Sequence, residues 1–367
     1  MKRIIAGGGA ALLLLLALAP AAAGVDTSAG SALLMDASSG RVLWEKDAHQ
    51  RREMASVTKL MTALVALESG HGPEETVRIE KEWVGAEGSS LYLREGEEIT
   101  LEALLYGLLL QSGNDAALAV AGFCGGEVEA FGEEMNRRAK ELGMEDTHFA
   151  NPNGLSDSDH YSSAYDLALL ARACLENETL AQIVSTRSAT FGGRVLVNHN
   201  KLLWRYEGCV GLKTGYTENA GRTLVSAARR DGMTLICVTL DDPNDWADHT
   251  ALFDWGFQNY QLATLVRAGE QVCSLPAEGG LIPLCPVTAG AEAQVCLTQG
   301  EKAQRQLVLD SSCLTAPLQA GSPVGEAVYS VNGEELLRVP LVTGAAVPDD
   351  RAGERSWLDR LRELVGL

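Results

Sequence analysis

An apolar run that contains a single lysine constrains this chain more than any other feature. From Ser56 to Leu67 the sequence is mostly apolar and holds no Gly or Pro, and Gly70 lies just past its end. This pattern predicts a buried helix with a glycine stop signal. Lys59 lies inside the run. A lysine in a buried helix must face a polar cleft or lose its charge, because burying an ammonium group alone is costly.

Ser56 precedes this lysine by three positions. A helix brings the side chains at i and i+3 to one face, a turn apart. A serine hydroxyl needs a base within hydrogen-bond reach to become a good nucleophile, and a lysine of lowered pKa can be that base. The same spacing also fits a helix-capping serine followed by a surface lysine, so the motif alone leaves both interpretations open.

Two more polar motifs stand in apolar surroundings. Ser112-Gly113-Asn114 interrupts an apolar helical region over residues 101–120, and its polar groups need partners there. Lys213-Thr214-Gly215 lies at the edge of a predicted strand, where a residue without a side chain lets a ligand lie along the backbone. The alternatives are an ordinary helix–helix turn for the first motif and a surface strand edge for the second.

Helices and short strands alternate over the first two thirds of the chain, which predicts an α/β domain. Ser163 to Asp166 is a capping-box pattern that predicts a further helix start. The predicted strands cover residues 32–36, 41–44, 223–226 and 234–240, and the other predicted helices cover 56–67, 101–120 and 246–259.

The sequence changes character after about Leu262, so residues 27–262 are predicted as the first domain. Residues 263–347 alternate in short runs between Gly and Pro, which predicts a small β-rich domain. Residues 348–367 follow as a polar linker and an amphipathic helix. The apolar face of that helix holds Trp357, Leu358, Leu361, Leu364 and Val365. We expect it to lie on a membrane surface; packing on the protein or on a partner is the alternative.

Residues 1–23 are typical of a signal peptide. Lys2 and Arg3 precede an apolar run that Pro20 ends, and three alanines before Gly24 suit cleavage near Ala23. A membrane-spanning helix is the alternative, but spanning takes about 20 apolar residues and this run is shorter. The sequence therefore predicts an exported protein, peripheral to the outer face of the cytoplasmic membrane.

Charge and cysteine content narrow the possible classes of protein. The formal net charge of −19 and the lack of basic clusters argue against nucleic acid as a partner. None of the eight cysteines forms a C-x-x-C pair, so a zinc knuckle is not expected. Disulfides are compatible with export, with the four cysteines between 273 and 313 as the best candidates; buried free thiols are the alternative.

Together the three motifs resemble a known signature. S-x-x-K, S-D-N and K-T-G mark class A β-lactamases and penicillin-binding proteins, and here Gly113 replaces the Asp of the second motif. The flanking sequences closely resemble the D-alanyl-D-alanine carboxypeptidases, which are low-molecular-mass penicillin-binding proteins, over about residues 27–262. The matching segments are 54–61, 110–117, 151–155 and 211–217.

The resemblance implies a fold and a reaction. The fold is a β-lactamase/D,D-peptidase-like domain, with an antiparallel sheet flanked by helices plus a helical subdomain, followed by a small all-β domain. Ser56 attacks the D-Ala-D-Ala carbonyl and Lys59 takes its proton. The backbone N–H groups of Ser56 and Tyr216 form the oxyanion hole. Ser112 relays a proton to the leaving amine, and Asn114 holds the substrate amide.

Around the implied binding site of the terminal carboxylate, this sequence departs from the family pattern at two positions. Lys213, Thr214 and Gly215 would surround it. Many relatives carry Arg or Thr where this chain has His199, and often an acidic residue where it has Val210. A protonated His199 is therefore a candidate carboxylate contact, with an ordinary surface residue as the alternative.

The expected partners are peptidoglycan stem peptides ending in D-Ala-D-Ala, with β-lactams as inhibitors and no cofactor or metal. A β-lactamase of the same fold and a non-catalytic cell-wall-binding relative are the alternatives. Rapid nitrocefin turnover would favour the first alternative, and lack of D-alanine release would favour the second.

Overall fold

The computed structural model of the chain describes residues 25–349. The predicted signal peptide and the apolar helix face from Trp357 to Val365 lie outside the described residues. Between residues 25 and 349, no helix is both long and apolar enough to cross a membrane.

The elements follow the α/β pattern expected from the sequence. The α-helices of the described chain are α1 (Lys59–Glu68), α2 (Leu101–Leu110), α3 (Asn114–Gly125), α4 (Val128–Glu141), α5 (Ala164–Glu176), α6 (Glu178–Ser185), α7 (Leu202–Arg205) and α8 (Asp245–Asn259). The strands of its first part are β1 (Ser31–Asp36), β2 (Val42–Lys46), β3 (Thr76–Arg78), β4 (Glu98–Thr100), β5 (Ser188–Phe191), β6 (Arg194–Val197), β7 (Cys209–Thr217), β8 (Gly221–Arg230) and β9 (Met233–Leu240).

A five-stranded antiparallel sheet forms the centre of this part, in the order β2-β1-β9-β8-β7. It contains all four strands predicted from the sequence. Its two faces bury alternate residues, because side chains alternate along a strand. Met35 and Ile236 belong to the core that includes α5, whereas Leu34 and Leu235 belong to the core that includes α8. The sheet is therefore covered by helices on both faces, as expected.

The predicted helices form with small shifts at their ends. Ser56 lies in a 3₁₀ turn, Ala55–Thr58, and the α-helix begins only at Lys59. The predicted break after α2 is present, with Ser112 and Gly113 between α2 and α3. The predicted cap of α5 is also confirmed, because Ser163 Oγ accepts a hydrogen bond from Asp166 N–H at 3.1 Å.

The C-terminal part is all β, as predicted. Its strands are β10 (Tyr260–Val266), β11 (Gln271–Glu278), β12 (Leu284–Ala289), β13 (Ala293–Thr298), β14 (Gln304–Leu309), β15 (Leu314–Thr315), β16 (Pro323–Val331) and β17 (Glu334–Thr343). Six of them form one sheet in the order β14-β16-β17-β12-β11-β15. This sheet has its own core, which includes Val287, Ala327 and Leu341.

The β10–β13 ladder joins the two parts, and β10 runs across the division predicted at residue 262. Cys296 of β13 is buried in the core beneath α8. Its N–H donates to Asp36 Oδ2 at 3.1 Å, and its carbonyl accepts from Arg41 at 2.7 Å. Arg41 also binds both carboxylate oxygens of Glu301, at 2.7 and 2.9 Å. These hydrogen bonds hold the turn between β1 and β2 against the C-terminal part.

All eight cysteines lie in the described chain, and all are free thiols. No disulfide links the four between 273 and 313, which were the best candidates from the sequence. Cys285 and Cys296 are fully buried, where a thiol behaves as a small apolar side chain.

Candidate active site

Ser56 lies in a turn whose shape is imposed by its neighbours. Ala55 has a positive φ of 49°, which is unfavourable for a residue with a side chain. Gly154 also has a positive φ, and a Cβ atom there would lie 2.1 Å from the Ala55 carbonyl oxygen. Only glycine permits this approach, so the 151–155 segment supports the serine turn directly.

A buried hydrogen-bond chain supports the same turn from the other side. Thr58 Oγ1 donates to the Ala55 carbonyl at 2.8 Å and lies 2.7 Å from His160 Nε2. His160 Nδ1 accepts from the Ala150 N–H, so the proton of a neutral ring is on Nε2 and is donated to Thr58. Burial lowers the pKa of His160 to about 4. His160 is therefore a neutral structural residue near pH 7.

Lys59 is fully buried, and its Nζ has three polar neighbours. It lies 2.8 Å from Ser56 Oγ, 2.7 Å from Asn114 Oδ1, and within hydrogen-bond distance of the Asn153 carbonyl. The last two neighbours can only accept hydrogen bonds. A neutral amine has two N–H groups for them, so its lone pair can point at the Ser56 hydroxyl.

The electrostatic surroundings of Lys59 favour this neutral form. Burial, assisted by the positive charge of Lys213, lowers the pKa of Lys59 well below its ordinary value; Asp115 opposes the shift. The sequence had left a choice between a polar cleft and loss of charge. The structure combines the two, since the amine faces polar groups while its pKa is lowered.

Ser112 and Asn114 enter the site from the break between α2 and α3. Ser112 has a φ of 62°, a conformation that side-chain-bearing residues rarely adopt, and it is almost fully buried. Asn114 Nδ2 donates to the Glu87 carbonyl, and this bond turns its Oδ1 towards Lys59. Next to it, Asp115 accepts hydrogen bonds from the Leu91 and Leu93 N–H groups and fixes the adjoining loop.

Lys213 and Gly215 enter from the edge strand β7. Lys213 Nζ donates to Ser112 Oγ at 3.0 Å and to the Thr214 carbonyl at 2.8 Å. Burial lowers the pKa of Lys213 to about 7. A Cβ atom on Gly215 would lie 2.3 Å from Thr223 Oγ1 and 3.0 Å from the Ser56 nitrogen. This glycine therefore brings the strand backbone against the serine turn.

A cavity of about 310 Å³ opens beside these groups. The residues that line it are Ser56, Ser89, Ser112, His199, Lys201, Thr214, Gly215, Tyr216, Arg222, Asp245 and Trp246. It thus brings together Ser56, Ser112, Thr214, Gly215, Tyr216 and His199, all of which the sequence singled out. Lys59, Asn114 and Lys213 lie behind its wall, bonded to each other or to lining residues.

His199 lies on the exposed rim of this cavity. Desolvation by the surrounding protein and the charge of Lys213 lower its pKa below the ordinary value of 6.5. His199 is therefore neutral at pH 7, which weighs against an imidazolium contact to a carboxylate.

Several contributing groups were not assigned a role from the sequence. The Asn153 carbonyl and Gly154 belong to a segment whose family-like sequence was noticed, but a carbonyl contact has no sequence signal. Asp115 adjoins the second motif and could have been found as a buried acid in an apolar helix. His160 and Arg222 are isolated in the sequence, so only the fold brings them to the site.

A serine paired with a buried lysine at the edge of an antiparallel sheet is the arrangement of the β-lactamase and D,D-peptidase class of serine enzymes. The family model described as D-alanyl-D-alanine carboxypeptidase matches residues 18–244, and the model of the penicillin-binding protein 5 C-terminal domain matches residues 260–349. The chain belongs to the D-alanyl-D-alanine carboxypeptidase family, which confirms the resemblance found in the motifs.

Individual relatives agree over most of their length. The chain is 33% identical to D-alanyl-D-alanine carboxypeptidase DacF of Bacillus subtilis, covering 90% of this chain and 88% of DacF. It is also 33% identical to D-alanyl-D-alanine carboxypeptidase DacA of Escherichia coli, covering 87% of this chain and 83% of DacA. Its structure matches penicillin-binding protein 5 from Haemophilus influenzae with a TM-score of 0.78 and 29% identity, over 89% of this chain and 99% of the other.

Proposed function

We propose that this chain is a serine-type D-Ala-D-Ala carboxypeptidase that removes the terminal D-alanine from peptidoglycan stem peptides and is acylated by β-lactams. One observation carries the proposal: the Lys59 amine lies 2.8 Å from Ser56 Oγ, between two groups that can only accept hydrogen bonds. This arrangement leaves the amine ready to remove the serine proton.

In the first half-reaction, Ser56 Oγ attacks the carbonyl carbon and its proton passes to Lys59 Nζ. The resulting ammonium group has three N–H donors for Ser56, Asn114 and the Asn153 carbonyl. The developing oxyanion receives hydrogen bonds from the backbone N–H groups of Ser56 and Tyr216. The closeness of Gly215 to the Ser56 nitrogen supports this assignment, because it sets the edge strand beside the serine.

Breaking the peptide bond requires a proton on the leaving D-alanine nitrogen. Lys213 donates to Ser112 Oγ, so the hydroxyl hydrogen of Ser112 is free to point into the cavity. Ser112 then relays a proton: its hydroxyl proton passes to the amine and is replaced by the proton that Lys59 took from Ser56, so Lys59 is neutral again when water attacks. Asn114 stays in place to hold the substrate amide, and Thr214 and Gly215 lie along the part that carries the carboxylate. Water hydrolyses the acyl-enzyme by the reverse proton route, which restores Ser56.

Covalent labelling tests the proposal. Fluorescent penicillin should label the wild-type protein, and mass spectrometry should locate the adduct on Ser56. Ser56→Ala should remove the label, and Ser185→Ala, at an exposed serine on α6, is the control. Wild-type protein should release D-alanine from diacetyl-Lys-D-Ala-D-Ala. Folded protein that neither takes the label nor releases D-alanine would refute the proposal, and rapid nitrocefin turnover would identify a β-lactamase.

We further propose that residues 1–23 direct export and that residues 348–367 hold the enzyme on the outer face of the cytoplasmic membrane. The apolar spacing from Trp357 to Val365 supports surface binding. Deleting residues 352–367 should move the protein from the membrane fraction to the soluble fraction. Unchanged fractionation would contradict this role of the tail.

A further inference from the structure

A carboxypeptidase must recognise the free carboxylate at the end of its substrate. Besides Lys59, the base, four groups that can carry positive charge lie in or behind the cavity wall: Lys213, His199, Lys201 and Arg222. Lys213 is fully buried and already bonded to Ser112 and the Thr214 carbonyl. His199 is neutral at pH 7, and Lys201 is an exposed, flexible side chain on the rim. Arg222 remains as a permanent cation facing the cavity.

The sheet places Arg222 beside the third motif. In the antiparallel pair of β7 and β8, Arg222 lies directly opposite Tyr216. Side chains alternate along a strand and opposite residues share a face, so Thr214, Tyr216 and Arg222 project on the same side. All three line the cavity. A guanidinium group therefore stands next to the hydroxyl of the K-T-G motif.

The guanidinium group of Arg222 is held from one side only. Its Nη2 donates to both Asp245 oxygens, at 2.9 and 2.7 Å, and its Cζ atom lies 5.6 Å from the centre of the Trp246 ring. Among residues 25–349, no protein acceptor is bonded to its Nε or Nη1. The side chain is 42% exposed, whereas that of Asp245 is 3% exposed. These contacts fix the orientation of Arg222, and its Nε and Nη1 donors remain available to a ligand.

Asp245 is not paired with Arg222 alone. It lies in the first turn of α8, and its Oδ1 also accepts the Trp246 N–H at 2.9 Å. A carboxylate at a helix N-terminus is stabilised there by the helix dipole, so part of its charge is directed into the helix. Its function in this arrangement is to orient Arg222, as an acceptor behind the guanidinium group.

We propose that Arg222 binds the terminal carboxylate of the substrate, with Asp245 and Trp246 as positioning residues. This inference rests on the proposed carboxypeptidase activity and names the residue that makes it specific for a free C-terminus. The guanidinium edge that is not bonded to Asp245 forms charge-assisted hydrogen bonds to the carboxylate. Thr214 provides a further hydroxyl beside it.

A pair of substrates tests the proposal. Diacetyl-Lys-D-Ala-D-Ala carries the carboxylate, and its C-terminal carboxamide is nearly the same shape without the charge. Wild-type enzyme should favour the acid. Arg222→Gln should lower kcat/KM for the acid about 10–100-fold and for the amide by no more than about threefold. Arg222→Lys keeps the charge but loses the planar fork. Its acid-to-amide ratio should therefore lie between those of the wild type and Arg222→Gln.

The controls separate binding from folding. Arg230→Gln removes an arginine from the far end of β8, where it stacks on Tyr206 and Phe257, and should leave the acid-to-amide ratio unchanged. Asp245→Asn should lower the acid-to-amide ratio, because Arg222 loses the charged acceptor that orients it, whereas a general loss of structure would lower both rates by the same factor. Melting temperatures establish that each variant is folded.

An acid-to-amide ratio in Arg222→Gln equal to that of the wild type would overturn the inference. If both rates fall equally, Arg222 is a structural residue; if neither falls, it has no part in binding. If the wild-type enzyme releases neither D-alanine from the acid nor D-alaninamide from the amide, the carboxypeptidase proposal fails first and this inference with it.

Discussion

At the scale of single residues, the proposed mechanism gives different tasks to two buried lysines. The neighbours of Lys59 Nζ are two acceptors and the serine hydroxyl. A neutral amine satisfies all three, because it has two N–H groups and one lone pair. Lys213 donates to Ser112 and to the Thr214 carbonyl. Burial and the positive charge of Lys213 together lower the pKa of Lys59, whereas burial alone lowers the pKa of Lys213. One lysine can thus act as a base while the other serves as a hydrogen-bond donor.

The burial of Lys213 should make the wild-type protein gain stability as pH rises. Its pKa is about 7 in the folded protein against an ordinary value of 10.5, so between these values the unfolded chain binds more protons. The free energy of unfolding therefore rises with pH in this window. Relative to Lys213→Met, the wild type should gain about 2 kcal/mol between pH 7 and pH 9.

Denaturant unfolding of both proteins at several pH values measures this difference. The hydrogen bonds that methionine cannot make are lost at every pH, so they shift the whole profile and not its slope. Lys201→Met, at an exposed lysine on the rim, should follow the wild-type slope. Parallel profiles for the wild type and Lys213→Met would contradict the lowered pKa.

At the scale of elements, the site is made where irregular segments meet regular ones. The 3₁₀ turn before α1, the break between α2 and α3, and the edge strand β7 each contribute one motif. The 151–155 segment forms a fourth support, because Gly154 touches the Ala55 carbonyl and Asn153 accepts from Lys59. The serine is positioned by close backbone packing as well as by its own helix.

Gly154→Ala should lower the rate of acylation, in addition to the loss of stability that a side chain causes at a positive φ. A new Cβ 2.1 Å from the Ala55 carbonyl oxygen must displace the serine turn. Gly143→Ala is the matched control, since Gly143 also has a positive φ but has open space around it. Both variants bear the left-handed backbone cost of about 1–2 kcal/mol.

The rate of labelling by fluorescent penicillin, measured beside the melting temperature, distinguishes the two effects. Gly143→Ala should lose stability and keep its labelling rate. Gly154→Ala should lose at least about tenfold in labelling rate, as misplaced reacting groups do. Equal labelling rates in the two variants would show that the Gly154 contact does not position Ser56.

At the scale of the whole molecule, a charged contact fastens the small β-rich part to the sheet domain. Arg41 binds Glu301 through both carboxylate oxygens, and its hydrogen bond lowers the pKa of Glu301 to about 2. Both side chains are largely buried. The neighbouring Asp36–Cys296 hydrogen bond fixes the same corner.

A double-mutant cycle should detect this contact. Arg41→Ala and Glu301→Ala should each lower the free energy of unfolding, with a coupling of about 1–2 kcal/mol between them, since a bidentate charged pair that is mostly buried exceeds a surface pair. Calorimetry measures the stability, and the penicillin labelling rate should stay at the wild-type value because the pair lies away from Ser56. A coupling near zero would mean that the Arg41–Glu301 pair does not help to join the two parts.

Much of this architecture follows from local pattern. The apolar run after Ser56, the break at Ser112 and the capping serine at 163 each predicted an element that formed within a few residues of its expected place. The short strands around Asp36 and from Thr234 were equally clear, because alternation and turn residues act over a short range. Disulfides among the late cysteines were a compositional expectation, and composition does not fix which thiols meet.

The sequence by itself determined the motifs, and with them the family, the nucleophile candidate and its lysine neighbour. Tertiary structure decided how those residues act: it surrounded Lys59 with acceptors, set Gly154 against Ala55, and brought Arg222 and Asp245 to the cavity. The physical reason is distance along the chain. Helix and strand patterns are local, whereas a lowered pKa, a carbonyl contact or an oriented guanidinium group depends on residues 23 to 101 positions apart that only packing brings together.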